Sequence, residues 1–201
     1  MKKLLLTFTI ALGFTLISNA QIESLAGPRI GVAYISPSPS SGLINGTLDL
    51  DDMGDLPLDY SDKIKSAVTI LYGWQWESRF ADGGDVTGIV EWIALVGGME
   101  KGLFLPSVSS MVGARTSSGL EFAMGPNLSL GGIAMVFGLG YNFKSGDLNM
   151  PVNIGFVPGR KNTQDASSDY DYNTGQEIIT PEIQYNTGSR FSITLGFNMN
   201  K

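Results

Sequence analysis

From Leu120 to Phe156 the chain alternates, residue by residue, between large apolar side chains and small or polar ones, in three runs joined by tight turns. Leu120, Phe122, Met124, Pro126, Leu128 and Leu130 alternate with Glu121, Ala123, Gly125, Asn127 and Ser129. Ile133, Met135, Phe137, Leu139, Tyr141 and Phe143 alternate with Ala134, Val136, Gly138, Gly140 and Asn142. Leu148, Met150, Val152, Ile154 and Phe156 alternate with Asn149, Pro151, Asn153 and Gly155. A helix would scatter these side chains around its circumference, whereas a strand turns successive residues to opposite faces. Alternation sustained over this length is a strand signal.

The same rule marks five more strands: 29–35, 68–80, 86–96, 103–115 and 190–200. The last of them sets Phe191, Ile193, Leu195, Phe197 and Met199 against Arg190, Ser192, Thr194, Gly196 and Asn198. Eight strands with no helical segment between them predict an all-β fold, an antiparallel up-and-down barrel. The connections after strands two, four and six are short. The two long ones, Ser36 to Asp62 and Gly159 to Gly188, follow strands one and seven and are rich in Pro, Ser, Gly and Asp, a composition that belongs in water. Two features strain against this scheme. Pro106, Pro126 and Pro151 fall inside strands, where each removes a ladder hydrogen bond, so bulges or frayed ends are expected there. Ile178 to Tyr185 also alternates, as an added strand or an extension of the eighth.

Which face points inward follows from volume. An eight-stranded barrel has a lumen just wide enough for side chains to fill. The aromatic and branched face is too bulky for it, while the Gly, Ala, Ser and Asn face fits, so the large residues are expected outside. Strands of about 9 to 11 tilted residues cross a bilayer, and a closed barrel leaves no unpaired backbone edge in lipid. The expected architecture is therefore a transmembrane β-barrel. Met1-Lys2-Lys3, apolar Leu4 to Ile17 and Ser18-Asn19-Ala20 have the three parts of a secretory signal peptide. Residues 1–20 are read as that signal and 21–201 as the barrel domain. Of 13 basic residues, removal of Lys2 and Lys3 leaves 11 against 19 acidic ones, which argues against nucleic acid as a partner. The chain has no cysteine and no histidine. It therefore lacks thiolate chemistry, the usual base of hydrolytic triads and the commonest transition-metal ligand.

The signal ending at Ala20-Gln21, the glycine-rich alternating strands and the closing run Arg190-Phe-Ser-Ile-Thr-Leu-Gly-Phe-Asn resemble the small outer-membrane β-barrel proteins of Bacteroidetes-type bacteria. These are similar in architecture to the OmpA transmembrane domain and to OmpX. The resemblance implies outer-membrane location, both termini periplasmic, with outer-membrane lipid and the barrel assembly machinery as partners. It carries over no functional residue. The chain departs from the family in ending Asn198-Met199-Asn200-Lys201 rather than on an aromatic, which leaves Phe197 as the assembly signal.

On the inward parity lie Arg29, Glu77, Arg79, Glu91, Arg115, Glu121 and Arg190. Charges in so narrow a lumen must be paired and hydrogen-bonded, so they are expected to form an ion-pair plug, with Arg115 and Glu121 facing each other across the 117–119 turn. The same charges could instead line a narrow path for ions or small solutes. Asp49, Asp51, Asp52 and Asp55 space oxygens like a calcium loop, but Met53 and Tyr60 stand where ligands are required. They are read as a solvated acidic loop that, with Tyr170 and Tyr172, could meet an extracellular partner. No metal, cofactor or catalytic residue is expected. An envelope-lipid enzyme without histidine would need an aspartate or glutamate mechanism.

Overall fold

The computed structural model describes residues 25–53, 56–146, 148–171 and 175–200. Strands β1 (Leu25–Ile35), β2 (Ala67–Asp82), β3 (Val86–Gly97), β4 (Leu105–Thr116), β5 (Leu120–Ser129), β6 (Gly132–Ser145) and β7 (Leu148–Val157) each pair antiparallel with the next. The last barrel strand is in two pieces, β12 (Arg190–Gly196) and β13 (Asn198–Asn200), and both pair with β7 on one side and β1 on the other. The ring closes as an eight-stranded antiparallel barrel.

Side-chain parity follows the alternation in the sequence. Ile30, Val32 and Tyr34 of β1 face out, while Arg29, Ala33 and Ile35 are buried. Across the ladder, Ile70, Val32, Ile193, Ile154, Leu139 and Phe122 lie in register as one outward row. Trp74, Trp76, Phe80, Trp92, Tyr141 and Phe143 extend this apolar belt. It is the exposed face of the protein.

The prolines break hydrogen bonds without shifting register. The β4–β5 ladder lapses opposite Gly125 and Pro126 and resumes on the same diagonal, Ser109↔Asn127 before it and Val112↔Met124 after it. Gly125 permits the bend, since a Cβ there would stand 1.9 Å from the Ser110 carbonyl oxygen. Pro106 pairs with Val96 at the very start of β4. The bulges expected at these prolines are therefore absent, and among the barrel ladders a register shift falls instead between Arg79 and Ala81. Nor is the eighth strand continuous, as the alternation suggests. It is interrupted at Phe197, which the register sets against Pro28 of β1, while Pro151 of β7 falls opposite the preceding Gly196; neither proline has an N–H to offer, and the Phe197 N–H donates to the Pro28 carbonyl at 3.3 Å.

The first long connection is not a solvated loop throughout. It carries helix α1 (Pro39–Asn45), then a 3-10 turn at Asp51–Met53 and helix α2 (Tyr60–Lys63). Ser38 caps α1 reciprocally with Ser41, through N–H to Oγ bonds of 3.3 Å and 2.9 Å, with Pro39 in the first turn. Gly46, at φ 69°, ends the helix in the left-handed region. Leu43 and Ile44 are buried, Ile44 packing with Ile35, Ala67 and Leu105 at the barrel mouth. The hydrophobic effect has folded this segment inward as a cap.

The second long connection is a hairpin outside the barrel sheet, β8 (Lys161–Gln164) pairing with β11 (Ile183–Asn186) and β9 (Ser167–Asp171) with β10 (Gln176–Thr180). The alternation from Ile178 to Tyr185 belongs to this hairpin, so the barrel stays at eight. Leu48, Leu56 and Ile183 form a small core between the two connections, with Tyr60, Ile64 and Tyr185 packed against it. The Leu56 N–H donates to Gln164 Oε1 at 2.8 Å, and the Tyr60 hydroxyl to the Gln184 carbonyl at 3.2 Å.

Candidate functional site in the barrel lumen

The inward face changes character along the barrel axis. Toward the short turns it is charged. Arg115 donates through Nη1 to Glu77 Oε1 at 2.6 Å, through Nη2 to Glu77 Oε2, and through Nε to Glu121. One guanidinium thus ties β2, β4 and β5 together across the lumen. Beside it, Arg29 donates from Nε to Gln75 Oε1 at 2.7 Å and from Nη1 to Asn198 Oδ1 at 3.3 Å, while Gln75 Nε2 donates to Glu91. All of these residues are buried, Glu77 at 1% exposure and Glu91 at 3%.

Five of the seven charged residues singled out in the sequence come together here: Arg29, Glu77, Glu91, Arg115 and Glu121. The other two are placed differently. Arg79 is half-buried beside the register shift near the β2–β3 turn. Arg190 lies near the opposite end, where it donates to Ser129 Oγ at 2.7 Å and Asn127 Oδ1 at 2.9 Å. Gln75 and Asn198, which link the charges, are members that sequence reasoning missed. Their signal was parity: Gln75 shares the inward face with Glu77, and Asn198 with Arg190.

The network leaves no room for growth. A Cβ on Gly196 would stand 1.0 Å from Arg29 Nη1. Gly196→Ala should therefore displace the guanidinium, overpack the lumen and cost about 1–3 kcal/mol, read as a lower urea midpoint for the folded protein.

Above this layer the lining is mostly apolar. A cavity of about 160 Å³ is walled by residues that include Leu71, Ile93, Leu95, Met111 and Val136 and is capped by Leu43 and Ile44 of α1. Glu91, Glu121 and Asn153 also line it, as does Arg190. At the β3–β4 turn, outside the barrel wall, burial pushes the Glu100 carboxyl up, but hydrogen bonds from Thr69 and the backbone N–H groups of Glu100 and Ile70 outweigh it. They hold the group below the ordinary carboxylate range.

The acidic loop shows a different use of its oxygens. Asp52 accepts the Asp49 N–H at 2.7 Å, and Asp51 lies exposed in the 3-10 turn. Among the described residues no three acidic side chains converge as a cation site. Tyr170 is half-exposed on β9 and pairs in register with Glu177. Asp55 and Tyr172 lie outside the described residues, as do residues 1–20.

No protein-family model matches the sequence, and no curated protein matches it. Among solved structures, a chain described as an acetoacetate decarboxylase-like enzyme from Sphingomonas wittichii RW1 aligns over 89% of this chain and 91% of its own, at 10% identity and a TM-score of 0.14. A likeness of that size carries no argument about fold or activity.

Proposed function

We propose that this chain is a bacterial outer-membrane protein, exported by residues 1–20, that crosses the bilayer as a barrel with its short turns and both termini toward the periplasm. The observation that carries the reading is the apolar belt. Soluble monomers rarely expose contiguous apolar patches beyond a few hundred Å², whereas this barrel turns whole rows of Leu, Ile, Phe and Trp outward and its carboxylates and guanidiniums inward. Lipid is the solvent that suits such a surface. Phe197, outward at the end of the chain, is the aromatic offered to the barrel assembly machinery.

The charged layer closes the lumen at one end and α1 covers the other, so the barrel serves as a structural and surface-interaction protein. Its working surface is the pair of outer connections, which are fastened to each other and present Asp49, Asp51 and Tyr170 to an extracellular partner. The cavity beneath α1 supports a second reading, a narrow channel whose gate is the charged layer.

The experiment is to refold the protein in detergent, show folding by heat-dependent gel mobility, and insert it in a planar bilayer. The expected result is a folded, inserted and electrically silent barrel. Discrete current steps that change when Glu91 or Arg79 is neutralised would favour the channel instead. A chain that folds and stays monomeric in plain buffer would overturn the membrane reading.

A further inference from the structure

The cavity beneath α1 is lined by two ionisable side chains of opposite sign, the buried Glu91 and the half-buried Arg190, neither of which forms an ion pair among the described residues. Glu91 accepts a hydrogen bond from the neutral Gln75 amide, and no described guanidinium or ammonium is bonded to it. Arg190 has two neutral acceptors, Ser129 and Asn127, and no described carboxylate. Glu77 and Glu121, in the same lumen, share Arg115 directly, whereas Glu91 reaches Arg29 only through the Gln75 amide. A buried charge left without a counter-charge is costly. Here both side chains line the same cavity.

Their placement sets the shape of what would satisfy them. Glu91 lies opposite Glu77 and Met111; two residues further along, Ile93 pairs with Ser109, which pairs with Asn127, the residue that holds the Arg190 guanidinium. Two residues along a strand is roughly 7 Å, and the passage from β3 to β5 adds two inter-strand spacings of about 4.8 Å each. Between the two ends the wall is Ile93, Met111 and Val136. On the opposite wall, in register with Glu121 through Gly140, Asn153 Oδ1 is buried without a hydrogen-bond partner. The volume suffices for a short aliphatic body, since a cavity of about 150 Å³ accommodates benzene.

We propose that this cavity binds a small ω-amino acid, its ammonium on Glu91, its carboxylate on Arg190 and its methylene chain against the apolar wall between them. Entry runs past α1. A second cavity, lined by Arg160, Asn162, Tyr185 and Thr187, shares Ser40, Leu130 and Gly131 with the first and continues it to the outer rim. The site faces the lumen, so binding there is independent of what surrounds the barrel.

The test is calorimetric titration of the detergent-folded protein, its fold verified by heat-dependent mobility, with 6-aminohexanoate, hexylamine and hexanoate. Only the zwitterion is expected to saturate a single site, with each one-charge analogue weaker by about tenfold or more, the scale of losing one charged hydrogen bond. Glu91→Gln should bring 6-aminohexanoate down to the level of hexanoate, and Arg190→Gln to that of hexylamine. Equal binding of all three compounds, or no binding of 6-aminohexanoate to the folded unsubstituted protein, overturns the assignment. The analogue series needs no variant, so it decides the matter even where a substituted chain fails to fold.

Discussion

Replacing Arg115 by methionine is expected to destabilise the barrel by about 3–5 kcal/mol, the cost of removing one partner from a buried ion pair. The methionine keeps most of the bulk but strands two carboxylates at once, Glu77 and Glu121, both almost fully buried. The loss should be read as a fall in the urea concentration at which the heat-modifiable folded band disappears. Adding Glu77→Gln and Glu121→Gln to the same chain should recover much of it, since the penalty lies in the uncompensated charge more than in the missing bond. If Arg115→Met alone unfolds at the unsubstituted protein's midpoint, the network is no structural plug.

The second large effect separates lipid from water. Leu139 is 56% exposed in the middle of the outward row shared with Ile154, Ile193 and Val32. At the midplane of a bilayer an arginine on the lipid face costs about 2–4 kcal/mol. On a soluble barrel the same exposed substitution would stay within about 0.5 kcal/mol. Leu139→Arg folded into phosphatidylcholine vesicles should therefore show the larger loss in urea titration. An unchanged midpoint would remove the belt as a reason to place the barrel in a membrane.

The barrel was legible in the sequence because alternation is a local property: each strand announces its own two faces, and Glu121, Gly138 or Ser192 can be assigned inward without knowing its neighbours. The Arg115–Glu121 pair was legible too, because a tight turn fixes which residues of β4 and β5 face each other. The contact of Arg115 with Glu77 was not. It reaches across β3, and parity alone does not say which side chains meet across a lumen. The inward face reads in the sequence as uniformly small and polar, yet Ile35, Leu71 and Leu95 hold the inward parity at the loop end. Those three, taken together, signal an apolar upper chamber.

Composition misled at the first long connection. Ser, Pro and Gly suggest a solvated loop when they are counted, but Ser38-Pro39 is an N-cap and first helical residue, and Gly46 is a stop. Position carried what frequency hid. The depth to which Leu43 and Ile44 sink depends on Ile35, Ala67 and Leu105, which the chain brings together only by closing. No window of sequence around α1 contains that information.

The break at Phe197 bears on how the ring is completed. Joining β1 to β12 and β13 brings Leu25 to Asn200, the most distant pairing among the described strands and so the contact with the greatest loop-closure entropy to overcome. Pro28 interrupts the ladder of that join, so the pairing that closes the ring is also a broken one. An assembling chain has its latch here. A chain completed in this order holds β2 to β6 in register before its two ends meet, and a wall that opened would part first along this line.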